Sequence, residues 1–75
     1  MTLNYIGSRA NKERLAEFSY ENKEEDRFMR IAEALRREGY DIDVGVQNWA
    51  AIKVEDRAEF DKVKRDFQRL RRKIH

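Results

Sequence analysis

The apolar positions change period along the chain. From Phe28 they recur as Phe28, Ile31, Ala32 and Leu35. At a helical rotation of about 100° per residue they fill a narrow arc, which predicts an amphipathic helix. Its opposite side carries Asp26, Arg30, Glu33 and Arg37, whose alternating signs at i,i+4 spacing suit a solvated face. Glu38-Gly39-Tyr40 ends that helix, with Gly39 suited to the left-handed conformation and Tyr40 folding back towards Leu35.

The period then drops to two. Ile42, Val44 and Val46 share one side of a strand, and Ala50, Ile52 and Val54 share one side of the next. A two-residue loop, Gln47-Asn48, would drive Lys53 onto the core side. A three-residue loop, Gln47-Asn48-Trp49, pairs Val46 with Ala50, Val44 with Ile52 and Ile42 with Val54, and sets Asp43 opposite Lys53. This hairpin places Trp49 at the turn and gives Asn48 the positive φ.

After Val54 the helical period returns. Asp56-Arg57-Ala58-Glu59 has the form of a capping box. Phe60, Val63, Phe67, Leu70 and Ile74 follow at spacings of 3, 4, 3 and 4, a two-heptad seam.

The chain before Asp26 carries weaker signals. Leu3 and Tyr5 alternate with polar residues, so residues 1–7 suit either a short strand or an irregular terminus. Ser8 is placed to cap a first helix whose apolar side is Leu15 and Phe18. Asn22-Lys23-Glu24-Glu25 has the form of a capping box for the next helix. A single bent helix from Ser8 to Glu38 is the alternative. The expected fold is therefore α+β in a single domain, residues 1–75. Its order is helix, helix, β-hairpin, helix, with two helices packed on one face of the hairpin and room for an N-terminal strand.

Size and composition change this picture in two ways. A chain of 75 residues buries a smaller share of its unfolded surface than a larger domain does, so such domains lean on staples or partners. With no Cys and a single His at position 75, neither a disulfide nor a zinc site is expected, and association becomes the expectation. Charged residues make up 43% of the chain, 17 basic and 15 acidic, so net charge alone points to no polyanionic partner. No apolar run is long enough to span a membrane. A cytoplasmic protein without a membrane segment is expected.

Candidate chemistry is sparse. There is no Cys–His or Ser–His–Asp set and no glycine-rich phosphate loop, so a non-enzymatic protein without cofactor is expected. Asp41 and Asp43 beside Lys53 share the outer side of the hairpin, as in metal-dependent nuclease sites. Ala51, however, stands where such sites carry an acid, and a solvated strand face is the simpler account.

Two surfaces stand out. Opposite the seam of the last helix lie Lys62, Arg65, Arg69 and Arg72, with Arg71 and Lys73 at their flanks. At the helical rise they make a basic stripe about 15 Å long. From Lys62 to His75 there are seven bases and one acid, Asp66. Bases at a helix C-terminus also complement the macrodipole, which is the structural explanation. The second surface is Trp49, which either packs on Gly45 and Ala51 or meets a partner. Leu70 and Ile74 extend past the reach of a short hairpin and form a candidate seam for a homodimer. Together these features suggest a small protein-binding module, an adaptor or inhibitor of the kind found among bacterial and phage accessory proteins. The alternative is a nucleic-acid-binding regulator that uses the basic stripe.

Overall fold

The computed structural model describes residues 1–7 and 13–75. Four strands form one antiparallel sheet: β1 (Thr2–Gly7), β2 (Arg14–Ser19), β3 (Ile42–Val44) and β4 (Trp49–Val54). Their order across the sheet is β1-β2-β4-β3. Helix α1 (Glu25–Arg37) follows β2 through a 3-10 turn at Asn22–Glu24, and α2 (Arg57–Lys73) follows β4. The chain thus runs strand–strand–helix twice, with β2 and β4 adjacent at the centre. The α+β class expected from the sequence holds, with four strands among the described residues rather than the hairpin's two and the optional N-terminal one, which is β1.

Both helices pack on one side of the sheet. Phe28, Ile31, Ala32 and Leu35 of α1 are fully buried, as their spacing predicts. They meet Ala16 and Phe18 of β2 and Ala50, Ile52 and Val54 of β4 in one apolar cluster. Phe18 is the hub: its ring lies 5.7 Å from Phe28 and 5.0 Å, edge-on, from Phe67 of α2. Such aromatic pairs add about 0.5–1.5 kcal/mol each beyond area burial. α1 ends as Gly39 requires. Its φ is +100°, its N–H reaches Arg36 O at 3.0 Å, and the Tyr40 N–H reaches Leu35 O at 3.1 Å. These are the two bonds of a Schellman ending.

Three expectations are corrected. The predicted first helix is not there in the described residues, because Arg14–Ser19 is a strand. Leu15 and Phe18 fit a helical spacing, but Ala16, Phe18 and Tyr20 are the buried set, and they alternate. Pairing to both β1 and β4 overrides a locally helical composition. Ser8 lies outside the described residues. The turn before α1 is capped one residue early: the Glu24 carboxylate accepts from the Glu21 N–H at 3.1 Å. Asn22 accepts instead from the Asn48 Nδ2 at 2.5 Å.

The hairpin register is also shifted by two residues. Ile42 pairs with Ile52, Asp43 with Ala51 and Val44 with Ala50. The Gly45 N–H reaches Trp49 O at 2.8 Å, and residues 46–48 form the loop. Gln47 and Asn48 both take positive φ, which Asn accepts more readily than most residues. Val46 is expelled to 83% exposure. Val46 apart, the sides on which the paired residues fall are as expected, because a two-residue slip preserves pleat parity. The cause of the slip is β2, whose ladder with β4 runs the length of both strands from Arg14↔Val54 to Ser19↔Trp49. Lys53 therefore faces Leu15 and pairs with Glu13 at 3.8 Å, not with Asp43.

Candidate functional site

The outer side of α2 is the best-defined charged surface. Asp56 caps the helix by accepting from the Glu59 N–H at 2.9 Å, and Glu59 accepts from the Glu55 N–H at 3.0 Å. Phe60, Val63, Phe67 and Leu70 are buried, which fixes the rotation of the helix and turns the basic residues outward. Its C-terminal carbonyls are bound by a residue of α1. Arg27 donates through Nε to Ile74 O at 2.8 Å and through Nη2 to Arg71 O. A side chain of α1, rather than a base of the last turn, thus caps those carbonyls.

The four predicted stripe residues divide into two pairs. Lys62 places its ammonium over the Tyr40 ring, 5.7 Å from the centroid. Arg69 is held by Glu38 and, at 3.4 Å, by Asp66. The Tyr40 hydroxyl donates to the other oxygen of Asp66 at 2.5 Å. This network ties α2 to the segment after α1. The Tyr40 hydroxyl donation and then Arg69 hold the Asp66 carboxyl below its usual range. Burial, and then the bond to Asp66, push the Tyr40 phenol far above its ordinary range.

Arg65 and Arg72 lie at the crest of the helix, exposed and without an ion pair among the described residues. Lys64 and Lys73 flank them in the same state. A shallow hollow is lined by Arg65, Gln68, Arg69, Arg72 and Lys73. The acids nearest this group are already engaged: Asp61, which shares a hollow with Lys64 and Arg65, by Arg57, and Asp66 and Glu38 by Tyr40 and Arg69. Sequence reasoning passed over Lys64 and Gln68. The signal for them was the i,i+4 row 64, 68, 72, which runs alongside the stripe.

The other predicted residues are placed differently. Trp49 is the first residue of β4 rather than part of the turn, and it is half-buried. A Cβ added at Gly45 would meet the Trp49 Cε3 at 2.8 Å, so the indole lies directly over Gly45 on the outer side of the sheet. Leu70 is 4% exposed and belongs to the chain's own core, with Ile74 packed against it. Both residues of the predicted seam therefore pack within the chain. Asp43 faces Ala51, and Lys53 faces Leu15, so the hairpin carboxylates and the lysine are not paired. Among the described residues no group of three acids or histidines is placed to hold a metal ion, and no helix is long and apolar enough to cross a membrane.

The arrangement suits one kind of chemistry, the binding of anions by an exposed row of cations on a rigid helix. No known protein family, curated protein or solved structure matches the chain.

Proposed function

We propose that the chain is a non-enzymatic, cytoplasmic nucleic-acid-binding module that lays the outer side of α2 along the phosphate backbone of a duplex. The observation that supports it is the set Lys64, Arg65, Arg72 and Lys73. They are exposed on one helix, and the neighbouring acids are occupied by other partners. A helix with its side chains is about 10–12 Å across, a width that the major groove of about 12 Å accepts. α2 has no aromatic residue of its own on this side, and the nearby Tyr40 ring is covered by Lys62, so stacking on unpaired bases has no platform and a duplex suits it better than a single strand. Phosphate contacts of this kind position a protein without reading sequence.

The test is fluorescence anisotropy with a random-sequence duplex at several salt concentrations. Four cations neutralising four phosphates give a log–log slope of about −3.6, at roughly −0.9 per phosphate. Arg65→Glu with Arg72→Glu abolishes binding and leaves the melting temperature unchanged. No binding at low salt, or binding indifferent to that double reversal, overturns the reading.

A second reading, the protein-binding adaptor or inhibitor, is supported by Arg69. That side chain already meets two carboxylates within the chain, so the same row of cations suits an acidic protein surface. Capture of polyglutamate without capture of duplex favours it.

A further inference from the structure

The two edges of the sheet are treated unequally. The β3 edge is three residues long and carries the exposed Asp43. Its Ile42 carbonyl accepts a hydrogen bond from Arg36 of α1 at 3.3 Å. A short strand, a charge and a covering side chain are the usual devices that keep a sheet edge from pairing. Among the described residues the β1 edge is neither short nor charged, and no side chain is bonded to its backbone; of this strand Arg57 overlies only the Tyr5 ring. The strand is six residues long, and its pairing with β2 is unbroken from Thr2↔Ser19 to Gly7↔Arg14, so no bulge bends it away. It contains no Pro. No side chain from Met1 to Ser8 is charged, in a chain that is 43% charged. No described element pairs with its outer side.

We infer that the β1 edge is a dimerisation site for a second copy of this chain, paired antiparallel about a twofold axis through Asn4. In that register Leu3 faces Tyr5 of the second copy and Thr2 faces Ile6, while Asn4 faces itself. Each pair then falls on a common side of the joined sheet. Leu3 and Tyr5 are half-buried lips of the core, and Ile6 is 40% exposed beside the half-buried Leu15. A second strand extends the cover over all of them. No like charges are brought opposite one another, which is the usual penalty for pairing a strand with itself. Arg57, which overhangs the Tyr5 ring, is already paired with Asp61 at 3.2 Å. A twofold contact consumes the open edge of both copies, and the guarded β3 edges stop growth at two. The product is one eight-stranded sheet with all four helices on the same side.

Sedimentation equilibrium, from micromolar to millimolar chain, tests this with the wild type and two variants of the exposed Asn4. The wild type is expected to be a reversible monomer–dimer. Asn4→Lys and Asn4→Asp each set like charges opposite one another and weaken the dimer by about tenfold. Mixing the two variants restores a heterodimer. The circular dichroism of both matches the wild type; because Asn4 faces Glu17 across the β1–β2 ladder, Asn4→Asp is expected to melt slightly lower and Asn4→Lys slightly higher, so a dimer weakened in both is not a loss of fold. A wild type that stays monomeric overturns the proposal. So does a dimer that both variants leave unchanged, or association that continues past two.

Discussion

β1, β2 and α1 are repeated in outline by β3, β4 and α2, yet the two sets leave different things open. The first set has a long uncharged edge strand and a helix whose exposed charges alternate, with Arg36 beside Glu33 at 3.5 Å. The second set has a short guarded edge and a helix whose exposed charges are mostly of one sign. A common topology therefore does not leave the same surface open in both sets. In the first set the open feature is the outward backbone of β1, which suits strand pairing. In the second they are side-chain cations, which suit anions.

The comparison breaks most completely where the two sets are joined. Phe18 of β2 touches Phe28 from the first set and Phe67 from the second. Phe18→Ala is expected to cost about 3–5 kcal/mol, enough to remove the cooperative urea transition of so small a domain. Two separate transitions in the variant would show that the sets fold separately, and a single unshifted one that Phe18 does not join them.

A smaller effect separates two glycines. Gly45 lies under the Trp49 ring, while among the described residues nothing approaches within 4 Å of a Cβ at Gly7. Gly45→Ala forces the indole to move and is expected to cost about 1–3 kcal/mol, with a shift in Trp fluorescence. Gly7→Ala is expected to be neutral or slightly stabilising in thermal melts, because it narrows the unfolded ensemble.

The Tyr40–Asp66–Arg69 network, which binds the end of the first set to the second, gives stability a dependence on pH at both extremes. Asp66 has a lowered folded pKa, so its contribution is present above the ordinary carboxylate range and is lost as pH falls through the lowered value. Tyr40 has a raised folded pKa, so its contribution is present below the ordinary tyrosine range and is lost as pH rises through the raised value. Melting temperature against pH is expected to flatten at the alkaline end in Tyr40→Phe and at the acid end in Asp66→Asn.

The smallest effect on stability belongs to the crest of α2. The Arg72 side chain is exposed and has no ion-pair partner among the described residues. Arg72→Ala is expected to change stability in urea titrations by no more than about 0.5 kcal/mol. A larger loss would mean that the chain itself uses the stripe.

Much of the two helices and of β4 was legible in the sequence. The seam of α2, its Asp56 cap, the Gly39 ending of α1 and the side on which each β4 residue falls all follow from neighbours within a few positions. The basic stripe was legible for the same reason, because a helix fixes which residues share a side. Its division into engaged and unpaired cations was not. That depends on Tyr40 and Glu38, which reach Arg69 and Lys62 only because α1 and α2 pack together.

The sequence by itself determined the two helices, their buried sides and the alternation of β4, since each is set by periodicity and local hydrogen bonding. Tertiary structure alone decided that Arg14–Ser19 is a strand, where the hairpin register falls and that Trp49 covers Gly45. Strand pairing joins residues far apart in the chain. A central strand takes its conformation and its register from both neighbours, and neither neighbour is written in its own sequence.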